Sequence, residues 1–313
     1  MTMDNLADMF SALQGLLFEQ VLQPVMFATG LGHLLPDGFN AMGWLLVGLL
    51  QLLVMVTVIG PLQRWRPVEP VTDRATVGTD VLYTLVHRLG LFRLAMFFAV
   101  EPLLSALFGQ WRVAGMATWH LDAIWPGVTD LALVSLLLYL VVLDALNYLI
   151  HRGQHGLSWW WQLHALHHAQ RQMTQWSDNR NHLLDDLIRD VMVVLVAQLI
   201  GVAPSQYVAI VALTQLSENL QHANLRLWFG RWGERLWVSP RFHRMHHAVG
   251  HGERQNCNFG VLLPWWDMLF RTANFELSYP TTGVLDQLEK GRDYGRGFWS
   301  QQWLGLKRLA GRA

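Results

Sequence analysis

One stretch of the chain is long and apolar enough to cross a lipid bilayer. Residues 38–63 contain no Asp, Glu, Lys or Arg, and residues 44–61 are almost continuously apolar. A transmembrane helix needs about 20 consecutive apolar residues, so this segment predicts a membrane span. Arg64 and Arg66 follow it directly. Because basic residues concentrate on the cytosolic side of a membrane, that end of the span is expected to face the cytosol.

Further apolar segments predict a bundle of helices. Residues 81–108 are expected to cross outward, and residues 131–150 to cross back and deliver His151 to the cytosol. Residues 10–28 predict either a weaker span or a helix on the membrane surface. Residues 191–217 carry no charge but are interrupted by Gly201-Val-Ala-Pro204. Each half is too short to cross, so a re-entrant helical hairpin is predicted.

The amino-acid composition supports a membrane protein and excludes several classes of function. Only 15% of the 313 residues are charged, against about 25% in soluble domains. A formal net charge of +0 gives no indication of a nucleic-acid partner. The single cysteine, Cys257, excludes an internal disulfide and any multi-cysteine zinc or iron–sulfur site. Asp4 and Asp8 stand where a cleavable signal peptide would carry basic residues, so none is expected.

The predicted fold class is therefore all-α: an integral membrane helical bundle with a re-entrant hairpin and a cytosolic, histidine-rich, metal-binding cap. The chain is interpreted as one membrane domain over residues 1–313. Residues 1–128 would form the N-terminal transmembrane helices, residues 129–275 the catalytic core, and residues 276–313 a basic C-terminal tail.

Three histidine clusters are the strongest functional pattern among 14 histidines. On a helix, residues three or four apart share a face, so each cluster can present several imidazoles in one direction. The clusters supply eight imidazoles, whereas one first-row metal ion takes four to six ligands. Convergence would therefore require two ions. The eight residues are His151, His155, His164, His167, His168, His243, His246 and His247.

Five more residues are candidates for the site. His182 and His222 lie at the two ends of the predicted hairpin, and both are proposed as metal ligands. Glu218 precedes His222 by one helical turn and is either a ligand or a hydrogen-bond acceptor for a ligating histidine. Asp144 and Asn147 share the helix face of His151, where a buried carboxylate would fix the orientation of an imidazole.

Isolated histidines have a simpler interpretation. A lone histidine near a membrane surface is usually an interfacial residue or a satisfied core residue, and His33, His87 and His120 are assigned that role. For Asp144 the simpler alternative is a polar contact between packed helices.

At these residues the sequence resembles the fatty acid hydroxylase/sterol desaturase superfamily of membrane di-iron enzymes. The resemblance covers residues 131–272. It is carried by Asp144-Ala-Leu-Asn-Tyr148 before His151-Arg152, Gln221-His222-Ala-Asn224, Ser239-Pro-Arg-Phe-His243, and Trp266-Asp-Met-Leu-Phe270. It implies iron binding by the eight clustered histidines and by His222, with His182 in a supporting position. One departure concerns Arg180-Asn-His182-Leu-Leu-Asp185, where family members often have Arg-x-His-Pro-x-Glu.

The resemblance implies a membrane-bound oxygenase with two iron ions and O2 as co-substrate, which hydroxylates or desaturates a C–H bond of a lipid. No cytochrome b5-like segment is recognisable, so a separate electron-donor protein is expected. The expected location is a bacterial inner membrane, crossed several times, with the metal site facing the cytosol. Two alternatives are a two-metal membrane hydrolase that uses a metal-bound hydroxide, and a non-catalytic metal-binding membrane protein.

Overall fold

The computed structural model describes residues 3–250 and 256–312, with side chains from residue 8 onward. These residues are helical or irregular, and their only β pairing is an isolated antiparallel bridge between Ala248 and Thr282. The α-helices are α1 Met3–Leu17, α2 Gln23–Ala28, α3 Leu35–Val54, α4 Gly60–Trp65, α5 Arg74–Arg88, α6 Leu91–Ala99, α7 Glu101–Val113, α8 Ala132–Gly156, α9 Ser158–His168, α10 Leu183–Leu199, α11 Pro204–His222, α12 Gly230–Gly233, α13 Pro240–His246, α14 Trp265–Leu269, α15 Leu285–Glu289 and α16 Phe298–Leu309.

Two of the predicted spans are helices long and apolar enough to cross a bilayer. The first runs continuously over Gly32–Trp65, because a π-helical turn at Met55–Ile59 joins α3 to α4. The second is α8. Leu49, Leu50 and Leu53 project outward from the first span and are exposed in the isolated chain, as side chains that face lipid would be.

The predicted outward span over residues 81–108 is wrong as a single helix. The chain forms α5 and α6, which meet at an angle of 51°, and then α7. Gly90 lies between the first two helices with φ +79°, a left-handed conformation that suits glycine. Pro102 lies in the first turn of α7 and cannot continue a preceding helix. If α5 and α6 together count as one broken span, the described residues contain three candidate spans.

The helices α10 and α11 form the hairpin that the sequence predicts. The break is at residues 200–203, where Gly201 has φ +77° and Pro204 begins α11. Both helices extend further than the apolar segment, to 17 and 19 residues, because their polar ends continue into the cap. His182 therefore lies at the start of the hairpin and His222 at its end. Re-entry into a bilayer stays a prediction.

The cap lies at the end of α8 that carries His151. There α9 packs between α8 and α16, and α13 packs on α11. An apolar core over α8, α10 and α11 includes Leu143, Val193 and Leu262. The residues predicted to be a basic tail are part of this packing. Arg308 of α16 is buried and donates from Nε to the carbonyl of Gln162.

Candidate metal centre

Nine buried histidines converge in two neighbouring groups. Within each group, one ring nitrogen of every histidine lies within 4.8 Å of the others. All nine side chains are less than 9% exposed. The first group consists of His151, His155, His164, His168 and His246, and the second of His167, His222, His243 and His247.

The spacing of the boxes explains this division. In the box on α9, His164 and His168 are four residues apart and belong to the first group, whereas His167 points to the second. The box on α13 divides in the same way, with His246 in the first group and His243 in the second. The boxes on α9 and α13 therefore each contribute to both groups, whereas His151 and His155 of α8 belong to the first group. The rings of His168 and His247 stack with centroids 4.2 Å apart, so the two groups adjoin.

The distances between ring nitrogens fit ligands of a shared ion. The Nε2 atom of His222 lies 3.1 Å from that of His167 and 3.0 Å from that of His243. In the other group, the Nε2 atoms of His168 and His246 are 3.2 Å apart. Two ligands at right angles on one ion, with bonds of about 2.1 Å, lie about 3.0 Å apart. The imidazoles present therefore fit two metal ions.

Oxygen acceptors fix the tautomers of four of these histidines. The Nδ1 atom of His151 lies 2.9 Å from the carbonyl oxygen of Phe259, and that of His246 lies 2.7 Å from the carbonyl oxygen of Cys257. The Nδ1 atom of His222 lies 2.8 Å from the carbonyl oxygen of Glu218. A carbonyl only accepts, so Nδ1 carries the proton and Nε2 presents a lone pair to the group.

His164 has a carboxylate as its acceptor. Its Nδ1 atom lies 3.0 Å from Oδ2 of Asp185, while Oδ1 of Asp185 accepts from Gln154 and Trp160. The Nε2 atom of His164 is buried without a hydrogen-bond partner. A metal ion would use that lone pair, and the carboxylate would make it a better donor.

Burial favours the neutral form of five of these imidazoles. Desolvation lowers the pKa of His168, His246 and His247 well below the ordinary value, and nearby histidines lower it further. The pKa of His167 and that of His243 are lowered for the same reasons. A neutral imidazole is the form that binds metal, so no proton has to leave at neutral pH.

The loop that supplies two of these carbonyl acceptors is itself held by carboxylates. Asp267 accepts hydrogen bonds from the backbone amides of Phe259 and Gly260. Asp144 accepts from the amides of Leu262 and Leu263 and from Trp266 Nε1.

The prediction for Asp144 is therefore corrected. The carboxylate makes its hydrogen bonds to this loop and to Trp266, and none of them goes to His151. It acts on His151 indirectly, because the loop places the carbonyl oxygen of Phe259. The rise of α8 explains the difference, since Asp144 lies about two turns, or 10 Å, below His151.

Asn147 and Glu218 both line the cavity beside the two groups. The backbone carbonyl of Glu218, and not its side chain, accepts from His222. The carboxylate lies 3.6 Å from Arg189 instead. The side-chain oxygen of Asn147 is buried without a hydrogen-bond partner.

His182 is corrected as well, because it lies outside both groups. It caps α10, where its Nδ1 atom accepts from the amide of Leu184 at 3.1 Å. Its Nε2 atom lies 2.9 Å from the carbonyl oxygen of Gln302 in α16. Both ring nitrogens are thus used in packing the hairpin against the cap.

Two carboxylates at the site were missed by sequence reasoning. Asp185 stands where the family motif has its glutamate, so the motif itself offered a signal for this carboxylate. Asp178 lies 3.5 Å from Nδ1 of His222 and 3.6 Å from Arg88. No motif marks Asp178. The three isolated histidines, His33, His87 and His120, lie outside both groups.

Comparison with known proteins places the matched region over the same residues. Residues 136–272 match the family model described as fatty acid hydroxylase. The ornithine lipid hydroxylase OlsE of Rhizobium tropici is 28% identical over 240 residues, which cover 75% of this chain and 70% of that protein. No solved structure matches.

Two further proteins are similar over less than half of this chain. The fatty acid hydroxylase vlmA of Lecanicillium sp is 26% identical over 45% of this chain and 42% of its own length. The Delta(7)-sterol 5(6)-desaturase ERG3B of Gibberella zeae is 28% identical over 43% of this chain and 40% of its own length.

Proposed function

Because this chain belongs to the fatty acid hydroxylase/sterol desaturase superfamily and is a lipid-hydroxylating or lipid-desaturating oxygenase, we propose that its nine converging histidines hold two iron ions. The observation that carries this proposal is the pair of adjoining groups, one of five and one of four buried imidazoles. Imidazole binds iron well, and four or five protein ligands leave coordination positions open.

Two irons at this place would supply the redox chemistry that activates O2 toward an unactivated C–H bond. The protein's own side chains hold and orient them. Asp185 fixes the ring of His164, and backbone carbonyls fix those of His151, His222 and His246. All nine imidazoles are buried, so bulk water is kept from the reacting groups.

The proposed substrate is a lipid that enters from the bilayer, and the proposed electron donor is a separate protein. The relatives named above act on an ornithine lipid, a fatty acid and a sterol. Hydroxylation and desaturation both begin with the removal of one hydrogen from the lipid. Hydroxylation then adds a hydroxyl group to the carbon, whereas desaturation removes a second hydrogen.

We place the centre on the cytosolic side of a bacterial inner membrane that the chain crosses several times. Arg64 and Arg66 end the first span. The amide of Arg226, four residues after His222, donates to the carbonyl of Arg66. The basic end of that span thus lies on the same side as the histidine groups, which the positive-inside tendency assigns to the cytosol.

The hydrolase alternative is less well supported. Two-metal hydrolases commonly use carboxylates as bridging ligands, whereas the two groups found among the described residues consist of histidine alone. The alternative of a non-catalytic metal-binding protein is also less well supported. If such a protein transported metal, ligating side chains would be expected at several depths of the spans, whereas here they gather at one end of α8.

The deciding experiment is metal analysis of detergent-purified protein, followed by O2 consumption with a reductant and a bacterial lipid extract. We expect about two irons per chain and substrate-dependent O2 uptake. His167→Ala should lower the iron content, and His33→Ala, outside both groups, should leave it unchanged. Stoichiometric zinc without O2 uptake in any extract would refute the oxygenase.

A further inference from the structure

The cavity beside the two histidine groups is polar, although the protein belongs to a family of lipid oxygenases. It measures about 40 Å³ and is enclosed by α8, α10, α11 and the histidine boxes. Four carboxylates line it, together with a single arginine, Arg189. A methylene chain would gain nothing from such walls, since carboxylates buried beside it would lose their hydration without a partner.

Three of the four carboxylates already have partners. Asp185 accepts from His164, Gln154 and Trp160. Asp178 lies 3.6 Å from Arg88, and Glu218 lies 3.6 Å from Arg189. Each of these negative charges is therefore compensated by a cation or by several donors.

Asp186 differs from these three. Its Oδ2 atom is buried and has no hydrogen-bond partner, and its nearest basic neighbour is His87, with Nε2 at 3.3 Å in a geometry that makes no hydrogen bond. Among the described residues, no lysine or arginine lies within ion-pair distance of Asp186, so this carboxylate has no close cationic partner on the wall of the cavity.

Two amide oxygens on the same wall also lack donors. Gln221 Oε1 is buried without a partner, while its Nε2 donates to Ser217 and to the carbonyl of Val261, which fixes the orientation of the amide. Asn147 Oδ1 is likewise unpartnered. The residue Gln221 is only 1% exposed. Helices α8, α10 and α11 thus each contribute one acceptor oxygen that has no donor.

We propose that this cavity binds the ammonium group of an amino-bearing lipid headgroup, so that the substrate is recognised by its cationic head. An ammonium supplies three N–H donors and one positive charge. Asp186, Gln221 and Asn147 offer three acceptors and one negative charge. The proposal rests on the proposed function and narrows its substrate class to aminolipids.

Binding can be measured apart from turnover. The purified protein would be placed in phosphatidylglycerol nanodiscs and titrated, without reductant, with dodecylamine and with dodecan-1-ol, which share one chain. We expect the amine to bind at least ten-fold more tightly. Asp186→Asn should abolish most of that preference, and Asp186→Glu should retain it. Glu289→Gln removes a carboxylate that is exposed at the end of α15, outside the residues that line the cavity, so it is the control and should change nothing.

Two results would overturn the proposal. One is equal affinity for the amine and the alcohol. The other is a preference that survives in Asp186→Asn while the iron content of that variant falls, which would mean that the carboxylate only balances the charge of the metal ions. An amine preference without O2 uptake would refute the oxygenase and leave the binding site standing. Turnover of neutral lipids by a protein that shows no preference for the amine would support the oxygenase and refute the proposed binding site.

Discussion

The carboxylate of Asp185 lies 3.0 Å from Nδ1 of His164, although the two residues belong to different helices. The contact connects α10, the first helix of the hairpin, to the ligand-bearing α9. Because Asp185 is also the acceptor for Gln154 of α8, one side chain holds three helices around the first histidine group.

Asp185→Asn is expected to weaken metal binding. An amide cannot accept from His164, Gln154 and Trp160 together, and it no longer polarises the imidazole. Removing such an acceptor typically costs 10–100-fold in metal affinity. Competition with a chelator, followed by metal analysis, measures the effect. Asp190→Asn is the control, and equal metal retention by both variants would contradict the assignment.

His182→Asn is expected to separate capping from metal binding. Asparagine is a good N-cap, so α10 should still begin at the same place. The hydrogen bond to Gln302 is lost, and a cost of about 1 kcal/mol should lower the thermal midpoint by a few degrees. Iron per chain should equal that of the wild type. A loss of iron comparable to that of His167→Ala would restore His182 to the ligand set.

Gly305→Ala is expected to disrupt the contact between α16 and the start of the hairpin. A Cβ at Gly305 would collide with Cδ2 of His182, whose ring is held by hydrogen bonds at both nitrogens. Overpacking of this kind costs typically about 1–3 kcal/mol. Gly109→Ala in α7 is the control, since a Cβ there meets no atom within 4 Å and alanine favours a helix. Thermal unfolding of both variants decides, and equal midpoints would refute the close contact.

Metal-free protein is expected to lose stability as the pH falls below about 6.5, the unfolded value for histidine. The pKa of His167, His168, His243, His246 and His247 is lowered in the fold, so below that pH the unfolded chain binds more protons. Each such histidine contributes up to about 1.4 kcal/mol per pH unit. When chelator-treated protein is unfolded by heat at several values between about pH 8 and pH 5.5, the thermal midpoint should decrease as the pH is lowered. A midpoint that stays constant would be inconsistent with a lowered pKa at these five buried imidazoles.

The sequence predicted best those features that local spacing determines. Histidines three and four residues apart share a helix face, so spacing alone predicts that His164, His167 and His168 project from one side of α9. The two continuous spans follow equally from uninterrupted apolar residues. The sequence also predicts the break at Gly201 and Pro204, because both residues restrict or relax the backbone locally.

Features that depend on distant residues were not predictable in this way. His182 belongs to a family-like motif, but its Nε2 partner, Gln302, lies 120 residues further along the chain. Asp144 shares a helix face with His151, yet its hydrogen-bond donors come from residues 262–266. A helix face limits the direction in which a side chain points and does not determine which remote segment packs there.

Because α8 runs without a break from Ala132 to Gly156, positions along it can be used to estimate the depth of the metal centre in the membrane. At 1.5 Å per residue, His151 lies about 28 Å along the axis from Ala132, close to the 30 Å thickness of the hydrocarbon layer. The metal centre would therefore stand at the boundary between acyl chains and headgroups. From there it reaches the polar part of a lipid and its first few carbons, whereas a terminal methyl group would have to bend back through half the bilayer.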